Sequence, residues 1–361
     1  MSFTLTIAAL LPALLLVWYL IRRDLYPEPA PVLLGTFVLG GLAMLPAGAA
    51  VEGVRGPLLG GVEAVPIAAL IYAFVIIAPL EELAKLGVLA GFAGRRTVFN
   101  EPMDGLIYGG VAGLGFAAAE NVAYVTMGGL ELAMLRAVTA VPMHAATGVV
   151  MGFFYGFARF VPERRPALLL YAVLVPIALH GAYNFPLILD EILAGLGRHA
   201  PWLPPIAIAA LAFQIGLALA LLRRVRLSQR AGHHEAAIDA DFPSQHRPFQ
   251  RFSRSRHLKG PAAVVIGGVL VWLTGSAVLT LAVGSLGEWL DADSGSPVGR
   301  ARASAEEILE GLTAPEAATT AVLLVAALAF GLWLFGRGIV WLNRHDREDG
   351  VDGAPPARPV G

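Results

Sequence analysis

Cysteine is absent from the 361 residues, which excludes disulfides, thiolate nucleophiles and Cys-built zinc or iron–sulfur sites. Charge is also scarce: Asp, Glu, Lys and Arg make up 15% of the chain, where a soluble domain carries about 25%. The few charges nearly cancel, to a formal net of -1, so the concentrated basic face that nucleic-acid binding needs is missing and no nucleic-acid partner is expected. What fills the chain instead is apolar residues, 57% of the total, giving a mean hydropathy of +0.68. Any nucleophile must therefore be water, a hydroxyl or a carboxylate, working in or beside a lipid bilayer.

Crossing the hydrocarbon core takes about 20 mostly apolar residues as a helix. Nine stretches qualify, near 4–21, 31–50, 65–93, 104–128, 133–158, 167–189, 203–222, 261–284 and 316–336. The expected fold is all-α, a polytopic integral membrane helical bundle of about nine transmembrane helices. If successive loops alternate sides, 20 of the Lys and Arg residues fall on one side and 5 on the other. The positive-inside rule then sets the N-terminus outside and the C-terminus inside. Residues 1–222 are expected to form a seven-helix core, with the chemistry on helices within 65–189. Residues 223–260 read as a basic, flexible cytoplasmic linker, 261–340 as a C-terminal helix pair with an acidic outer loop, and 341–361 as a disordered tail.

Ionisable side chains cost about 2.5–3.5 kcal/mol each at the bilayer centre, so where they persist they tend to line a cavity and act. Four consecutive helices carry them. Glu81, Glu82 and Lys85 lie on the third, Phe116, Glu120 and Asn121 on the fourth, His144 on the fifth, and His180 with Asn184 on the sixth. At 1.5 Å rise per residue, Glu81, Glu120, His144 and His180 all fall roughly 20–24 Å from the arginine-rich ends of their helices. One shared layer is a pattern that independent helix-packing residues would not produce. Glu81 and Glu82 lie about 100° apart around their helix, so one is expected to face a cavity while the other braces a partner such as Lys85. Pro79, just before them, is expected to kink the helix.

Amide hydrolysis needs water deprotonated and an oxyanion stabilised. Two imidazoles and a carboxylate form a ligand set for catalytic zinc, here Glu120, His144 and His180, with Glu81 or Glu82 as general base and Asn184 orienting substrate or oxyanion. The same groups support a metal-free route, in which Glu81 or Glu82 activates water and the histidines polarise the carbonyl. Lys85, Phe116 and Asn121 support the set. A proton- or ion-coupled transporter or channel could also use such a layer as a relay, and a membrane scaffold could use it only to hold helices together.

Glu81-Glu82-x-x-Lys85, Phe116-x-x-x-Glu120-Asn121, His144 and His180-x-x-x-Asn184, in that order on successive helices, resemble the PrsW intramembrane proteases, relatives of the CAAX prenyl endopeptidases. The segment from Arg23 to Pro29 is similar to that family's start, and the resemblance spans about residues 1–225. It implies a protease of the bacterial inner membrane performing site-1-type cleavage of a membrane-anchored protein, with an anti-sigma factor as one substrate type. It also implies a divalent metal, zinc above all, although the CAAX-type relatives suggest glutamate chemistry without one.

Overall fold

The computed structural model describes residues 3–59, 65–198 and 200–238, and among these every regular element is helical. α1 (Phe3–Ile21) and α2 (Ala30–Leu59) are followed by a short α3 (Val65–Ile71), which passes through a π-helical turn, Tyr72–Ile77, into α4 (Ala78–Gly91). α5 (Pro102–Val138), α6 (Ala140–Phe160), α7 (Arg165–Gly195) and α8 (Leu203–Ile238) complete the described chain. Six helical stretches are long and apolar enough to span a membrane, with Leu5–Ile21 a shorter apolar helix beside them. The chain is thus a polytopic helical membrane protein. The expected eighth and ninth spans, the acidic loop and the tail lie outside the described residues.

Two boundaries differ from the expectation. The helix drawn to end at 222 runs on to Ile238, because Arg, Leu, Gln and Ala past that point are good helix formers and no proline interrupts them. The first part of the expected flexible linker is therefore helix. Between the spans near 104–128 and 133–158 the chain makes only a break within α5 at Gly129, whose φ of 64° is a left-handed conformation open to glycine.

α5 and α6 form the buried centre of the bundle, and their contact is a seam of glycines at every fourth position. A Cβ added at Gly105, Gly109 or Gly113 of α5 would lie 2.3 Å from a carbonyl oxygen of α6, those of Gly152, Gly148 and His144 respectively. From the α6 side, a Cβ on Gly152 would lie 1.8 Å from the Gly105 carbonyl. In lipid, where no hydrophobic force pushes helices together, such small-residue faces let backbones approach and gain dispersion contacts. Outward-facing residues confirm the solvent: Leu11, Leu14, Leu15 and Trp18 on α1, and Leu34, Val38, Leu42 and Leu45 on α2, are exposed apolar stripes suited to acyl chains. Asn121, expected beside the site, turns away from it, and its amide Nδ2 donates to the Ala9 carbonyl (3.0 Å), tying α5 to α1.

Candidate active site

The seam sets the site. His144 lies one turn before Gly148 on the same face of α6, and Gly113 packs on its backbone. Two turns further along α5 comes Glu120, whose Oε2 lies 2.8 Å from His144 Nε2. α7 closes the other side: a Cβ on Gly181 would meet the Phe74 ring at 2.4 Å, so glycine next to His180 lets α7 press on the π-helical turn. That turn is how the third expected span accommodates its proline. Pro79 enters at the start of α4, and the wider turn before it replaces a simple kink and sets the rotation of Glu81 and Glu82.

The two glutamates take different partners, as adjacent helix positions must. Glu82 Oε1 accepts from Lys85 Nζ (2.7 Å), from His180 Nδ1 (2.7 Å) and from the Thr147 hydroxyl (3.3 Å). Lys85 thus pairs with Glu82 at i,i+3 and not with Glu81 at i,i+4. Its ammonium also meets His144 Nδ1 at 2.7 Å and lies 4.8 Å from the centre of the Phe116 ring. An ammonium carries donors only, so His144 Nδ1 accepts, and its Nε2–H donates to Glu120. By the same reasoning His180 donates from Nδ1 to the Glu82 carboxylate and keeps a lone pair on Nε2. The two imidazoles lie edge to face, 5.3 Å between centres.

Glu81 is free to act. Its Oε2 is buried without a hydrogen-bond partner and lies 3.8 Å from His180 Nε2, beyond direct hydrogen-bond reach. Glu81, Glu120, His144, His180 and Asn184 all line one cavity of about 280 Å³, whereas Glu82 lies behind its wall. Toward its mouth the cavity meets the exposed ion pair of Arg55 with Glu191 (2.5 Å). Arg136, which sequence reading did not select, belongs to α5: it pairs with Glu120 at 2.8 Å and stacks 3.9 Å from the Tyr124 ring centre. An arginine sixteen residues beyond an intramembrane glutamate, in a mostly apolar stretch, was the signal that could have found it. Thr147, one turn past His144, was the other missed contributor.

A divalent cation suits the donors present. Ligand atoms of Glu81, His144 and His180 lie within 4.8 Å of one another, and the orphaned Glu81 oxygen and the His180 Nε2 lone pair are both uncommitted. His144 would join them only with Nε2 deprotonated, its proton passing to Glu120 while Nδ1 takes one from Lys85. This grouping takes Glu81, where sequence reasoning had assigned Glu120 to the ligand set, and leaves Glu120 paired with Arg136 and His144.

Comparison with known proteins returns one consistent answer. Residues 28–220 match the family described as PrsW family intramembrane metalloprotease. Protease PrsW of Geobacillus kaustophilus is 35% identical over 191 residues, 52% of this chain and 82% of that protein. Protease PrsW of Oceanobacillus iheyensis is 35% identical over 49% of this chain and 80% of its own length. That of Bacillus subtilis is 33% identical over 51% of this chain and 82% of its own length. No solved structure matches the chain.

Proposed function

The chain belongs to the PrsW family of intramembrane proteases, and on that premise we propose that it hydrolyses a peptide bond of a membrane-anchored protein with Glu81 as the carboxylate that activates water. The observation that carries this reading is the Glu81 oxygen: buried, unpartnered, facing the cavity and 3.8 Å from the free nitrogen of His180. Glu82, Lys85, Glu120, His144 and His180 each already hold at least one hydrogen bond within the layer, and Glu82, whose second oxygen is also unpartnered, does not line the cavity.

In this mechanism Glu81 takes a proton from water held between it and His180. The oxygen attacks the scissile carbonyl, and the proton passes to the leaving amine as the C–N bond breaks. The Asn184 amide, which lines the cavity, would stabilise the oxyanion, with His144 Nε2–H sharing its bond to Glu120 as charge develops. Glu82 holds the His180 tautomer, and Lys85 holds that of His144. Arg136 steadies Glu120. A divalent metal of the zinc class held by Glu81, His144 and His180 would supply Lewis acidity and a bound water of lowered pKa, with Glu120 the further carboxylate lining the same cavity. The metal-free route draws its support from the full engagement of His144 by Lys85 and Glu120.

The expected location is the bacterial inner membrane, and the resemblance to the family adds site-1-type cleavage of an anti-sigma factor as the candidate signalling role. The test is cleavage of a single-span reporter in proteoliposomes by wild type and by Ala variants at Glu81, Glu82, Glu120, His144 and His180. All five lose cleavage on this reading, and retained cleavage throughout sinks it. Stoichiometric metal that is lost on His180→Ala, with chelator-sensitive cleavage, selects the metal route. Metal-free, chelator-insensitive cleavage selects the glutamate route.

A further inference from the structure

At the opposite end of α5 from the catalytic layer lies a second cluster of carboxylates that hydrolysis does not use. Asp104 stands in the first turn of α5, Asp24 and Glu28 in the segment joining α1 to α2, and Glu101 just before α5. Asp104 is sixteen residues from Glu120, about 24 Å along the helix. Ligand oxygens of Asp24, Glu28 and Asp104 lie within 4.8 Å of one another.

Local structure accounts for half of each side chain. Asp104 Oδ2 accepts from the backbone N–H groups of Asn100 (2.6 Å) and Glu101 (2.9 Å), which caps the helix. Asp24 Oδ1 accepts from Tyr26 N (3.0 Å) and from Gln229 Nε2 (2.8 Å), whose amide also donates to Glu101 Oε1 (2.6 Å). Glu28 accepts from the Tyr108 hydroxyl. The other half is left over. Asp104 Oδ1, Asp24 Oδ2 and Gln229 Oε1 are all buried and accept from no N–H or hydroxyl of the described residues, in side chains of residues 0%, 7% and 7% exposed, while the Glu28 and Asp104 carboxyls face each other at hydrogen-bond range.

A capped helix end needs none of these three oxygens. Gln229, an uncharged residue contributed by α8 from 125 positions away in sequence, meets the cluster through its amide nitrogen and leaves its own carbonyl oxygen buried without a partner. Arg226 of α8 acts on Asp24 and has its own Nε buried without a partner, one cation set against four carboxylates. Burial pushes the Asp24 and Glu28 carboxyls above their usual range. Acceptor oxygens converging without donors are what a hard cation requires: it prefers carboxylate and amide oxygens to nitrogen or sulfur.

We propose that Asp24, Glu28 and Asp104 bind a hard divalent cation of the calcium or magnesium class that fastens the α1–α2 connection to the start of α5, with Gln229 of α8 hydrogen-bonded to the Asp24 side of the site.

The test uses the full chain in detergent micelles after removal of metals, with thermal unfolding followed as Ca²⁺, Mg²⁺ or Mn²⁺ is added and Mn²⁺ binding read by electron paramagnetic resonance. Binding raises the midpoint by about 5 °C at 100-fold excess over Kd. The shift survives in His180→Ala, is lost in Asp104→Asn, and needs at least tenfold more cation in the milder Glu28→Gln, which keeps the test decisive should Asp104→Asn fail to fold. Three outcomes overturn the proposal: no shift with any of the three cations, a shift unchanged in Glu28→Gln, or a shift lost in His180→Ala. Because cleavage is not the readout, failure of the protease mechanism would leave this result intact.

Discussion

Replacing Lys85 by Met separates what that residue does for stability from what it does for chemistry. Lys85 is fully buried, Glu82 is 1% exposed, and their charges meet at 2.7 Å. Methionine keeps the apolar stem and removes the charge, leaving a carboxylate without its cation. Stripping one partner from a buried ion pair costs about 3–5 kcal/mol. Glu82 Oε1 would still receive the His180 and Thr147 hydrogen bonds, which places the expected loss near the lower end, about 3 kcal/mol. Adding Glu82→Gln neutralises the stranded charge while its carbonyl still accepts from His180, so the double variant should regain most of that loss. It should not regain cleavage, because His144 no longer has the donor that fixes its tautomer and His180 no longer has its carboxylate. Unfolding in micelles, followed by circular dichroism, measures the first effect and reporter cleavage the second. A Lys85→Met protein as stable as wild type, or a double variant no more stable than the single, would refute the reasoning.

The glycine seam gives a paired prediction. Gly152→Ala drives a Cβ to within 1.8 Å of the Gly105 carbonyl and should cost about 1–3 kcal/mol or more, whereas Gly87→Ala, with nothing within 4 Å, should be neutral or slightly stabilising; comparing their unfolding midpoints checks both. Arg136→Gln removes the cation paired with Glu120 and should lower the cleavage rate without abolishing it, since His144 still binds that carboxylate. Steady-state cleavage rates decide this, and a rate equal to wild type contradicts the steadying role.

Much of the site was legible because burial of charge in lipid is costly enough to make each ionisable residue conspicuous. Glu81, Glu120, His144 and His180 stood out on that ground, and the structure brings them around one cavity. What sequence could not decide was rotation. Whether Lys85 serves the glutamate three or four residues before it depends on where the π-helical turn leaves α4, and that turn answers to Phe74 packing against Gly181 of α7. The same uncertainty exchanged Glu81 and Glu120 in the candidate ligand set. Asn121 misled because adjacency to Glu120 in sequence puts it on a different face of the helix, toward α1. Arg136 was hidden because it lies past the break at Gly129, sixteen residues from Glu120, where sequence spacing gives no hint that the two side chains meet. The acidic cluster at the start of α5 gave no periodic signal, being assembled from a connection, a helix start and a distant helix.

The most direct measurement is the rate at which Glu81→Gln cleaves a membrane-anchored reporter in proteoliposomes, with its unfolding midpoint measured alongside. Loss of a general base costs typically 10²–10⁴-fold, so the account predicts a fall of at least about a hundredfold in a protein that unfolds no more readily than wild type. Cleavage within a few-fold of wild type by a folded Glu81→Gln protein would contradict it.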